Sequence, residues 1–66
     1  MIVAKRELLR RLRIERGLTK SGLAREVGVS HSSIVRAERQ AGVSPQTAKG
    51  ICDYFGVEFK ELFDIV

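Results

Sequence analysis

Ten of the chain's twelve Lys and Arg residues lie at or before Arg39: Lys5, Arg6, Arg10, Arg11, Arg13, Arg16, Lys20, Arg25, Arg36 and Arg39. Only Glu7, Glu15, Glu26 and Glu38 oppose them there, so this part carries +6 while the remainder carries −2. Such a distribution suits phosphates, because neutralising several of them releases counterions and supplies affinity that is independent of sequence. A solvated basic surface fits the same charges, and charge by itself does not separate the two readings. Catalytic chemistry has far less support. Ser32 and Ser33 adjoin His31, but adjacent residues on a helix do not face one another, and no acid is placed to orient the imidazole. No paired carboxylate motif or phosphate loop is present. Cys52 and His31 are the single cysteine and single histidine, too few for a disulfide or for the four ligands of a structural zinc. The expectation is a protein that is not an enzyme and uses no metal and no cofactor.

The framework that must position these groups is small. Sixty-six residues make one domain, 1–66, and 44% hydrophobic with 30% charged residues is enough apolar mass for a core without being a disordered composition. The longest apolar run, residues 1–4, is far short of the roughly 20 residues of a membrane span. No basic-then-apolar signal segment follows it, so a soluble, cytoplasmic protein that avoids membranes is expected.

Periodicity predicts five short helices and no strand, since no stretch alternates with period two over strand length. Over residues 4–16, Leu8, Leu9 and Leu12 form an apolar stripe among good helix formers, ended by Gly17. Thr19 can cap a second helix, in which Leu23, Ala24 and Val27 repeat at helical spacing before Gly28. Ser30 can cap a third, running to about residue 40, with Ile34 and Ala37 on its one narrow apolar edge. Ser44 and Pro45 read as a cap and first-turn proline before the stripe Ala48, Ile51, Cys52 and Phe55, closed by Gly56. A last helical segment spans about 58–63. Cys52 lies on the apolar stripe, which makes it a buried inert thiol rather than a redox sensor.

The segment from Lys20 to Arg39, K-S-G-L-A-R-E-V-G-V-S-H-S-S-I-V-R-A-E-R, is two helices joined by a tight turn. Ala24 is small where the helices cross, Gly28 allows a positive φ at the turn, and Leu23, Val27, Val29, Ile34 and Ala37 supply the shared core. Around it stand Leu9, Leu12, Arg13, Gly17-Leu18-Thr19, Glu38, Phe55-Gly56-Val57 and Glu61-Leu62-Phe63. Taken jointly, these residues resemble the helix-turn-helix family of phage repressors and Cro proteins, over residues 9–63. The resemblance implies an all-α, five-helix lambda-repressor-like domain. Its helix-turn-helix, about residues 19–40, would place the third helix in the major groove of double-stranded DNA. It puts Lys20 at a phosphate-contacting position and Ser30, His31, Ser32, Val35, Arg36 and Arg39 on the exposed face of the recognition helix. Arg36 is the best candidate to read a base, because its fork matches guanine O6 and N7, and Arg39 is assigned to a phosphate. Val35 either meets a thymine methyl or is a lone apolar surface residue. Arg13 and Glu38 stand where the family has an architectural ion pair between helices one and three. The chain departs from the family at Gly22, where Glu is common, and at Gln40, where Gly is usual. The loop of residues 40–43 is one residue short.

The function implied is sequence-specific DNA binding by a transcription regulator, most simply a repressor. A different class, a protein-interaction module of the same fold such as an antitoxin or an adaptor, shares these residues; a duplex complex weakens steeply with salt, whereas an apolar protein contact does not. The family usually binds as a dimer on two half-sites. Here the apolar residues near the ends, Met1, Ile2, Val3, Phe59, Phe63, Ile65 and Val66, are the candidates for a homodimer contact, with core packing as the competing role for Phe63.

Overall fold

The computed structural model describes Met1–Val66 and contains five helices and a two-stranded sheet. Helix α1, Arg6–Glu15, buries Leu9 and Arg13, four apart on one face. Helix α2, Lys20–Val27, starts at Thr19, whose Oγ1 accepts the Gly22 N–H at 3.0 Å. Helix α3, His31–Glu38, starts at Ser30, whose Oγ accepts the Ser33 N–H at 3.2 Å. Helix α4, Pro45–Phe55, starts at Ser44, whose Oγ accepts the Thr47 N–H at 3.1 Å. In each case a side-chain oxygen satisfies an amide that the first turn leaves without a partner. Helix α5, Phe59–Leu62, is a single turn.

Leu9, Leu23, Ile34, Ile51, Leu62 and Phe63 are fully buried and form the centre of the core, with Ala24, Ala37 and Ala48 letting the helices approach closely. Gly28 closes α2 at φ 83°, and its N–H and that of Val29 both reach the Ala24 carbonyl, at 2.8 and 3.0 Å. The left-handed residue turns the chain sharply enough for α3 to pack across α2. At Gly22, where the chain departs from the family, the N–H is capped by Thr19, and a Cβ there would stand 3.3 Å from Thr19 Oγ1.

Two expectations are corrected. The chain is not purely helical, because strand β1, Ile2–Ala4, pairs antiparallel with strand β2, Phe63–Ile65, in the register Ile2↔Ile65, Val3↔Asp64, Ala4↔Phe63. A further bridge joins Ile2 to Val43. Three residues per strand are too few to display a period of two, and the partners lie at opposite ends of the sequence, so only the folded core brings them together. Phe63 is part of that core, at 2% exposure, and is not free for a partner. The second correction is at the end of α3. Gln40 adopts φ 57°, its N–H reaches the Ala37 carbonyl at 3.2 Å, and the Ala41 N–H reaches the Arg36 carbonyl at 2.9 Å. This left-handed closure stops the helix at Glu38, two residues before the expected end, with a glutamine in a conformation that favours glycine.

Candidate nucleic-acid interface

Helix α3 uses Ile34 and Ala37 to dock into the core, which leaves His31, Ser32, Arg36 and Arg39 exposed on the opposite side and Ser33 and Val35 half-buried between. The exposed set presents two guanidinium groups, an imidazole and a hydroxyl along barely two turns of helix. Val35, half-buried, is the one apolar residue among them. Ser30 belongs to this end of α3 but is already engaged: its Oγ caps the helix and lies 3.1 Å from Ser32 Oγ and 2.9 Å from Ser33 Oγ. Lys20 opens α2 and is half-buried, its amine the one cation in that first turn.

The orientation of α3 is fixed from behind. Arg13 Nε donates to Glu38 Oε2 at 2.6 Å and its Nη2 to Glu38 Oε1 at 3.1 Å, while Nη1 donates to the Leu18 carbonyl at 2.9 Å. The two side chains are 11% and 5% exposed. One guanidinium thus ties α1, the loop before α2 and the last residue of α3 together, through directional bonds that sliding of the helix would break. No buried side-chain nitrogen or oxygen lacks a partner.

Arg36 is held at its tip. Its Nη2 donates to the Gly42 carbonyl at 2.9 Å, and the side chain borders a shallow depression of about 190 Å³ with Ser33, Gly42, Val43, Ser44 and Thr47. This leaves Nε and Nη1 free to donate. Gly42 is held in turn by the terminal strand: the Val43 N–H donates to the Ile2 carbonyl at 3.0 Å, and a Cβ on Gly42 would meet Met1 Cγ at 2.7 Å. This support of the α3–α4 loop is absent from the sequence reading. The only trace of it in the sequence is a glycine in a short loop, which does not name the strand that lies over it.

The basic half of the sequence divides in three dimensions. Arg13 is in its ion pair, Arg11 pairs with Glu15 at 3.1 Å, and Arg16 lies over the rings of Tyr54 and Phe55, 5.1 and 5.4 Å from their centroids. Lys5 donates to the Lys60 carbonyl at 3.0 Å. Arg36 and Arg39 remain exposed on α3. Cys52 is buried on α4, and desolvation, helped by the neighbouring Asp53 charge, pushes its thiol pKa upward, which keeps it protonated and unreactive.

Residues 9–62 match the family model described as helix-turn-helix. No curated protein matches the sequence. Among solved structures, the fold is similar to the crystal structure of transcriptional regulator VanUg, with a TM-score of 0.75 and 26% identity over 98% of this chain and 87% of that one. With its capped two-helix unit, the tight turn at Gly28 and a model match that spans most of its length, the chain belongs to the helix-turn-helix family of the Cro and phage-repressor type.

Proposed function

We propose that the protein is a sequence-specific duplex DNA-binding transcription regulator that lays α3 in the major groove and represses by occluding a promoter. The observation that carries this reading is the exposed face of α3, with His31, Ser32, Arg36 and Arg39 turned outward on a helix whose pitch the Arg13–Glu38 pair fixes. Arg36 reads a base, a bidentate contact to guanine being worth about 1–3 kcal/mol of discrimination. Its tip exchanges the Gly42 carbonyl for the base edge, or keeps it and uses the free donors. Arg39 and Lys20 hold phosphates, and His31, Ser32 and Val35 complete the contact with base edges. Ser30 contributes chiefly by capping α3. The transcriptional role draws support from the similarity to transcriptional regulator VanUg. Two copies bind two half-sites on one face of the duplex, about 34–36 Å apart.

Selection of binding sites from a random duplex pool at near-physiological salt tests this reading. An enriched palindrome is expected, with Arg36→Ala relaxing one position of each half-site and Lys20→Ala weakening all duplexes alike. If no site is enriched, or if both variants bind like the parent, the reading fails. An interaction that then proves insensitive to salt would favour the protein-interaction module.

A further inference from the structure

We infer that Gly42 is a positioning residue for base recognition: its carbonyl stays bonded to the tip of Arg36 in the DNA complex and aims one complete edge of the guanidinium at a guanine. This rests on the DNA-binding reading and commits it to one of the two courses open to Arg36.

The two exposed arginines of α3 are not equivalent. The ion pairs of the molecule take Arg11, Arg13 and Lys49, so neither Arg36 nor Arg39 is held by a carboxylate. Arg36 alone of the two has its tip fixed, by the bond from Nη2 to the Gly42 carbonyl at 2.9 Å. A neutral acceptor orients the guanidinium while leaving its positive charge uncompensated for DNA.

Gly42 is itself fixed from several sides. The Ala41 N–H donates to the Arg36 carbonyl at 2.9 Å, which folds the loop back onto the residue it serves, and the Val43 N–H donates to the Ile2 carbonyl at 3.0 Å. Met1 lies against Gly42, where a Cβ would stand 2.7 Å from Met1 Cγ. The hydroxyls bordering the tip are engaged elsewhere: Ser33 Oγ lies 2.9 Å from Ser30 Oγ, and Ser44 Oγ caps α4 and donates to Thr47 Oγ1 at 3.0 Å.

Keeping the bond takes nothing from recognition. The five N–H groups of a guanidinium form two edges, Nε with one hydrogen of Nη2 along the side, and Nη1 with the other hydrogen of Nη2 at the end. Arg13 uses the side edge on Glu38. Whichever Nη2 hydrogen the Gly42 carbonyl accepts, the other edge of Arg36 remains whole, and one edge is all that guanine O6 and N7 require. Exchange is the poorer course, because it leaves a fixed carbonyl in the interface without a donor. A held guanidinium also loses less freedom on binding and turns less readily to a phosphate or to adenine N7, so the bond contributes selectivity rather than general affinity.

Two measurements on the full chain test this. The first follows by NMR the scalar coupling across the hydrogen bond, from Arg36 Nη2 to the Gly42 carbonyl carbon, in the free protein and on the selected duplex; it is expected in both states. The second replaces the Gly42–Val43 amide by an ester, using the α-hydroxy acid analogue of valine at position 43. The ester weakens the Gly42 carbonyl as an acceptor and removes the N–H that ties the loop to Ile2, with every side chain unchanged. Preference for guanine at the Arg36 position should fall about two- to tenfold, the worth of one hydrogen bond, while preferences at the other positions and affinity for unrelated duplexes are unchanged. A purely structural role would instead weaken all duplexes alike. The inference is overturned if the coupling is absent from the free protein or is lost on the duplex, or if a folded ester variant selects guanine like the parent. If the ester variant does not fold, the coupling decides. If the parent binds no duplex, the DNA-binding reading has failed and the inference falls with it, whereas guanine selected without the coupling overturns the inference alone.

Discussion

Removing Glu38 while leaving Arg13 in place is the most searching perturbation of the scaffold behind α3. Arg13 makes three hydrogen bonds, two of them to Glu38, and its side chain is 11% exposed. In Glu38→Ala the guanidinium keeps only the Leu18 carbonyl, and most of a buried positive charge is left without its counterion. Breaking a buried pair in this way costs about 3–5 kcal/mol. A domain of this size has a total stability of about 3–10 kcal/mol, so the loss takes a third or more of it. At about 4–8 °C per kcal/mol, the melting temperature falls by at least about 12 °C. Urea denaturation of the parent, Glu38→Ala, Arg13→Met and the double variant Arg13→Met/Glu38→Leu measures this. The double variant removes both charges and fills the space, so its stability returns to within about 1 kcal/mol of the parent, or exceeds it. Repeating the cycle at about 1 M salt should leave the coupling nearly unchanged, since a buried pair is poorly screened. A cost below about 1 kcal/mol for Glu38→Ala, or a coupling that vanishes in salt, would show that the pair behaves as a surface pair and refute the reasoning.

Gln40→Gly should stabilise the protein by about 0.5–1 kcal/mol in the same assay, because relief of a left-handed φ outweighs the added freedom of the unfolded chain and the loss of the long 3.4 Å bond from Gln40 Nε2 to the Ala4 carbonyl; a loss of stability would contradict this. Ser30→Ala should cost about 1 kcal/mol by uncapping α3, with DNA affinity falling and site preference kept, read by denaturation and by site selection. The buried Cys52 thiol has its pKa raised above 9.0, so the native state holds that proton more tightly than the unfolded chain and stability declines as pH rises beyond about that value. Cys52→Ala should flatten this alkaline decline relative to the parent. Lys20→Ala should lower the slope of log affinity against log salt by about one, as expected for one lost phosphate contact, and an unchanged slope would remove Lys20 from the interface.

The helices were readable because each carries its own punctuation. Thr19, Ser30 and Ser44 all cap the helices expected of them, and Gly28 sits at a positive φ. The stripes Leu23-Ala24 and Ile34-Ala37 face the core as their spacing requires. What the sequence did not disclose depends on residues far apart. The sheet joins Ile2 to Ile65, and three-residue strands have no periodicity of their own. Gln40 disguises the end of α3, because its type argues against the left-handed φ that the closure imposes. Family resemblance pointed to Arg36, Arg39 and Lys20 as candidates for the DNA interface. It gave no sign that the tip of Arg36 rests on the Gly42 carbonyl, since that depends on where a four-residue loop lies against β1.

That loop gives the reading face a place in time as well as in space. Residues 19–39 contact one another over short sequence distances, so α2 and α3 can assemble early in folding. Pairing Val3 with Asp64 must close a loop of nearly the whole chain, and its entropy becomes affordable only after the helices have drawn the two ends together. Val43 gains its bond to Ile2 at that late step, and Gly42 is fixed with it. The order expected from loop-closure entropy is the helix pair first and the Gly42 carbonyl, on which Arg36 rests, afterwards. A chain whose ends have not met lacks the bond that seats the α3–α4 loop, and with it the fixed carbonyl on which the tip of Arg36 rests.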